Sequence, residues 1–119
     1  MSTAWEKFRG ATLSLARSGP IKDRLTDAYR KHLSLIDENE LPRELRAEFR
    51  AVHESLTREP PLLRGEDAFR ATIRKMSLGE AEEIATSVVR MFSAIPRNYA
   101  PPPRAANAAQ VVPFLTAEA

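Results

Sequence analysis

The side chains that most often do chemistry are few in this chain and scattered. His32 and His53 are its only histidines, each on a separate predicted helix. Neither has a second ligand one helical turn away, the spacing a helical zinc or di-iron site needs. Each is therefore expected to be a half-buried ring with a satisfied N–H; a site shared between them across two helices is the least favoured reading. Glu80, Glu82 and Glu83 gather where a helix begins, and there they complement its positive end. A general acid needs a carboxyl in an apolar pocket, and no pattern places one there. None of the serines, at 2, 14, 18, 34, 55, 77, 87 and 93, sits in a GxSxG elbow. The four glycines stand singly at 10, 19, 65 and 79, so no glycine-rich phosphate loop exists. Cysteine is absent, which removes thiolate ligands, thiol nucleophiles and disulfides and fits a cytoplasmic setting. The expectation is a protein with no catalytic constellation, no cofactor and no metal.

Two features point to binding instead. Arg43, Arg46 and Arg50 share one face of a predicted helix, a stripe that suits phosphate or an acidic surface on a partner. Glu54 lies one turn beyond Arg50 and is placed to pair with it, so a solvated, salt-bridged face is the favoured reading. The second is the apolar cluster Val111, Val112, Phe114 and Leu115 in the C-terminal tail. It suits docking into a groove on its own subunit, on a twin or on another protein, and it equally suits a free end. Residues 66–95 also have the outline of a helix-turn-helix. Their second helix is acidic at its start and apolar along its length, so it reads as core and nucleic-acid binding through it is disfavoured.

The elements that position these residues follow from period and caps. Residues 3–17 open with a Thr3/Glu6 capping box and carry Trp5, Phe8, Thr12 and Leu15 on one side; Gly10, mid-helix, marks a close helix contact. Ser18-Gly19-Pro20 stops that helix and starts a second over 20–37, with Ile21, Leu25, Ala28, Tyr29, His32, Leu33 and Ile36 inward. Asp37–Glu40 is a polar turn. Pro42 opens a third helix to about Thr57, whose Leu45, Phe49, Val52 and Leu56 form a narrow seam. The double proline at 60–61 forbids a helix there. A short helix over 66–75 turns Phe69, Ile73 and Met76 inward. Ser77 and Glu80 then cap a fifth helix through Ile95, on which Ala81, Ile84, Ala85, Val88, Val89, Phe92 and Ile95 make a broad apolar face that the rest packs around. Pro96 ends it.

From residue 96 the chain changes character: five prolines, with Pro101–Pro103 expected as polyproline II. The expected organisation is thus a helical bundle domain over 1–95 and a proline-rich extended tail over 96–119. Length allows one modest core, and no uncharged apolar run reaches membrane-spanning length. The formal charge is +2, with acids and bases interleaved throughout and no basic arm or acidic tail.

The stretches AWEKF, KDRLTDAYRKHL, ELPRELRAEF and RKMSLGEAEEIATSVVRMF give residues 4–95 a pattern that resembles a family of small uncharacterised bacterial all-helical proteins. That resemblance implies a helical fold and brings no site residues with it. Taken together, the reading is an all-α bundle of four to five helices acting as a non-catalytic interaction, adaptor or regulatory protein. Its partner is another protein or a second copy, with no membrane involved. The runner-up is a nucleic-acid-associated regulator using the arginine face.

Overall fold

A computed structural model describes residues 2–101. The described residues form five α-helices: α1 (Ala4–Leu15), α2 (Ile21–Lys31), α3 (Arg43–Leu56), α4 (Ala68–Lys75) and α5 (Leu78–Ala94). Two 3-10 turns, Leu33–Leu35 and Glu38–Glu40, link α2 to α3. No strand occurs among the described residues. The tail cluster Val111, Val112, Phe114 and Leu115 lies outside them.

The fifth helix is central, as its length and apolar face require. It packs against α1 and α2 on one side and α3 on the other. Ser77 and Glu80 form the predicted reciprocal cap. Ala81, Ile84, Val88, Met91 and Ile95 are buried, a 3-4-3-4 seam that meets its neighbours. The face is narrower than its apolar residues suggest. Ala85 and Phe92 lie at its margin, Val89 is 42% exposed, and Met91 takes a core position. Among the described residues no element covers the flank where Val89 sits; an open groove runs there beside Leu15 and Ile21.

Against this wall, α1 contributes Phe8 and Ala11, and α3 contributes the seam Leu45, Phe49, Val52 and Leu56, all buried as their spacing predicts. Phe8 and Phe49 meet edge-on, with ring centroids 6.1 Å apart. Apolar contact continues past residue 95. Tyr99 packs on the core, and Arg97 lies over the Trp5 ring at 5.0 Å.

The second helix is shorter than its apolar spacing predicts. It stops at Lys31 because His32 leaves helical geometry (φ −132°, ψ −61°). Leu33 and Ile36 still reach the core, carried there by the first 3-10 turn. A continued helix would carry the chain away from α3, whereas the turn reverses it within a few residues. Lys7 holds the turn by donating to the Leu35 carbonyl at 3.2 Å and pairing with Glu40 at 3.2 Å. The polar stretch that follows is itself a 3-10 turn closed by reciprocal Asp37/Glu40 capping.

Gly10 makes the close contact its mid-helix position implies. A Cβ there would sit 2.5 Å from Cε1 and Nδ1 of His32. Gly10→Ala should therefore gain helix propensity, worth about 1 kcal/mol in a helix interior, only where the ring is absent. In the His32→Ala background the substitution is expected to stabilise. With His32 present it should gain at least ~0.5 kcal/mol less, a coupling of the size seen between touching residues. Urea unfolding of the four-member cycle measures this, and strict additivity would contradict the contact.

Candidate functional site

The densest set of specific interactions lies where the loop after α3 meets α4 and α2. The loop has to cross Pro60-Pro61, so it cannot hydrogen-bond to itself as a helix does. Side chains satisfy it instead. The Glu66 carboxylate accepts from the backbone N–H of Leu62 and of Leu63, each at 3.2 Å. Arg74, on α4, donates to the same carboxylate through two nitrogens at 2.8 and 3.1 Å. Only 3% of the Glu66 side chain is exposed. Arg74 first, then the two loop N–H groups, favours the ionised form and pulls the Glu66 pKa from 4.5 down to about 2. Gly65 supplies the positive φ (77°) that lets the chain turn back beneath this carboxylate. On the other side of the loop, the Glu59 N–H donates to the buried Thr72 hydroxyl at 2.9 Å, and Thr72 donates to the Ala68 carbonyl. Arg58 pairs bidentately with Glu80 at the start of α5.

These ties hold Leu62 and Leu63 outward, 65% and 58% exposed. Beside them runs an open groove of about 520 Å³ between α2 and α4. Phe69 and Ile73 form its floor, with Leu63 at the rim. Phe69 is stacked on Tyr29 of α2 (centroids 4.4 Å, planes 18° apart), and the Arg30 guanidinium lies 4.9 Å from the Phe69 centroid. Arg30 also pairs with Asp67 at 2.8 Å. Asp67 caps α4 by accepting from the Arg70 N–H at 2.8 Å, and that bond together with Arg30 holds its carboxyl below the usual range.

Behind the stack, the Tyr29 hydroxyl and His53 Nδ1 lie 3.2 Å apart. Burial pushes the Tyr29 phenol above its ordinary 10.0, partly opposed by Arg30, so the hydroxyl keeps its proton near neutrality. The gap in front of this pair, between Phe8, Phe49, Val88 and Met91, admits no water molecule. It is packing space with no room for a substrate. His32 and His53 are spent on different contacts, one against Gly10 and one against Tyr29. Among the described residues, no group of three or more His, Asp or Glu converges as metal ligands would.

The arginine stripe on α3 works mostly inward. Arg46 donates to the carbonyls of Leu41 (3.0 Å) and Asn39 (3.4 Å). Arg50 grips Glu38 with two nitrogens at 3.1 and 2.6 Å, in place of the helical partner Glu54 that spacing suggests. Both fasten the second 3-10 turn to α3. Of these three, Arg43 is the one whose side chain makes no ion pair or hydrogen bond among the described residues. No described helix is long and apolar enough to cross a membrane.

Sequence patterns do not single out Glu66 or the Leu62–Leu63 pair. Glu66's donors stand four and three residues before it and eight after, a spacing no local motif predicts. No family model, curated protein or solved structure matches the chain.

The Glu66 contribution has a definite pH sign. Its folded pKa is depressed, so the stability it contributes is fully present above about pH 4.5 and is lost as pH falls towards 2. Glu66→Gln should flatten the acid-side fall of the unfolding free energy in that window. Glu66→Ala, which removes the acceptor oxygen altogether, should speed amide exchange at Leu62 and Leu63 by at least about tenfold, the effect of losing an acceptor on an otherwise open loop. Unchanged exchange at both amides would show that the carboxylate does not hold the loop.

Proposed function

We propose that this chain is a small cytoplasmic, non-catalytic interaction module, an adaptor or regulatory subunit. It engages a protein through the Leu62–Leu63 loop and the groove beside it. The observation that carries this reading is the fixed outward display of two adjacent leucines. Exposed leucines are common singly. A pair held on a loop by a carboxylate that accepts from both of their N–H groups is different, because the ordering cost of binding is already met in the free protein. The floor of Phe69 and Ile73 extends the same apolar surface, and arginines frame it. Aromatic floors with arginine rims are the composition that protein interfaces favour.

The arginine stripe supports a nucleic-acid role less well. Arg46 and Arg50 already donate to the turn beside them, and turning them to phosphate would release that turn. The tail cluster Val111, Val112, Phe114 and Leu115 stays as a second docking element to be separated from the loop by experiment.

The test is co-purification with tagged full-length chain as bait, set against a Leu62→Ser/Leu63→Ser double variant and a chain lacking 102–119. The double variant should retain its helical circular dichroism, since both side chains are exposed. Partners should be depleted at least about tenfold with it, as for loss of central apolar contacts. Undiminished recovery by the double variant would overturn the loop reading, and loss only on truncation would move the contact to the tail.

A further inference from the structure

The flank of α5 that carries Val89 is open along part of its length, and the chain itself arrives at the covered end. Ala85, Val89 and Phe92 follow one another at 4-3 spacing and form a second apolar strip beside the buried seam. Trp5 of α1 closes one end of this strip, its ring meeting Phe92 with centroids 5.4 Å apart. The segment leaving α5 lies at the same place. Arg97 stands 5.0 Å from the Trp5 ring, the Tyr99 N–H donates to the Pro96 carbonyl at 3.0 Å to close a turn, and Tyr99 packs on the core. The rest of the strip faces a groove of about 420 Å³ that runs from Ser93 to the α1–α2 junction at Leu15 and Ile21. Two cations and no anion line that groove. Arg90 pairs with Glu48. Arg24 donates to the Leu15 and Gly19 carbonyls and has no carboxylate partner among the described residues.

This site is too small to hold a separate molecule firmly. Val89 is exposed, but Ile21 and Ala85 are half-buried and Leu15 is buried, far short of the ~800 Å² that each partner covers in a stable complex. A separate partner also loses its free translation and rotation on binding, whereas a tethered segment meets the groove at a high effective concentration. The occupant that fits is a piece of the same chain, and the sequence supplies one. Val111 stands ten residues after Pro101, a reach of up to ~33 Å when extended, whereas Phe92 to Ala85 spans about 10 Å of helix. Beyond residue 101 the large apolar side chains are Val111, Val112, Phe114 and Leu115, and the one acid is Glu118. A chain that follows the strip down from Trp5 brings Glu118 to the α1–α2 end, where Arg24 lacks a carboxylate.

We propose that Val111–Leu115 docks into this groove on its own chain, running from Ser93 towards Ile21 with Glu118 beside Arg24. The tail is then a strap that ties α5 to the α1–α2 junction and covers Val89. It uses a different groove from the Leu62–Leu63 surface, so either reading can fail without the other.

Paramagnetic broadening in the full chain tests it. The sequence has no cysteine, so one introduced cysteine carries a nitroxide at a chosen place. With the nitroxide on Thr116→Cys, broadening should be stronger at Ile21 than at Ser93. With it on Gln110→Cys the order should reverse. Adding Phe114→Ser/Leu115→Ser to the Thr116→Cys chain should lower the docked-to-free ratio at least about tenfold, as the loss of two buried apolar side chains implies, and the broadening at Ile21 with it. These substitutions lie outside the bundle, whose circular dichroism should stay as in the wild type. Equal broadening at Ile21 and Ser93 from both positions would overturn the inference, as would broadening at Ile21 that survives the serine pair. So would broadening of isotope-labelled chains that carry no nitroxide when mixed with chains that do, since that result places the segment on a second copy. Each of these results leaves the Leu62–Leu63 reading to its own co-purification test.

Discussion

One aromatic stack decides how this molecule is put together. The eight-residue helix α4 is too short to hold its shape alone. Its close helix packing is with α3. Its apolar tie to α2 is the Phe69 ring lying flat on Tyr29, a contact worth about 0.5–1.5 kcal/mol beyond the area it buries, and Lys22 donates to the Arg74 carbonyl at the far end. Arg30 joins the same ring and reaches on to the Asp67 cap, so the residue that starts α4 and the residue that anchors it share one partner on α2. Because rings and ion pairs span this junction in place of an interdigitated helix seam, α2 and α4 stand apart on one side. The open groove is the direct result.

The loop before α4 answers a second constraint. Two prolines deny it a continuous backbone ladder; the Glu66 N–H donates to the Leu63 carbonyl, and the N–H groups of Glu59, Leu62 and Leu63 take side-chain acceptors. Glu66, Thr72 and the Arg58–Glu80 pair provide them or brace them. A rigid loop with outward leucines follows from this satisfaction of polar groups. The same economy operates at the other end of α3, where Arg46 and Arg50 hold the turn after α2. Arg30, Arg46, Arg50, Arg58 and Arg74 thus serve as fasteners between elements, which leaves fewer arginines free than the sequence suggests.

Much of the fold was legible in the sequence. The Leu45–Phe49–Val52–Leu56 seam and the Thr3/Glu6 and Ser77/Glu80 caps depend on spacings of three or four residues, which sequence displays directly, whereas a glycine in mid-helix announces a close approach at Gly10 without naming His32 as its partner. Two features of the helices were less legible. The end of α2 at Lys31 reflects where the chain must turn to reach α3, and the exposure of Val89 reflects that no described element covers that flank. Both are tertiary facts that spacing alone does not carry. The candidate site was hardest to read. Arg50 looked to Glu54 by helical arithmetic, but a carboxylate twelve residues away offered two aligned oxygens. Glu66 and Thr72 looked like ordinary polar residues until the loop was folded over them.

Native-state hydrogen exchange on Phe69→Leu tests the central role of the Tyr29–Phe69 stack most directly, because leucine keeps an apolar side chain there and removes the ring. Amides in α4 should exchange markedly faster while those buried in α1 and α5 keep their wild-type protection. Unchanged α4 protection, or equal loss across all five helices, would contradict the view that the Phe69 ring on Tyr29 and Arg30 is the main fastening of α4 to α2.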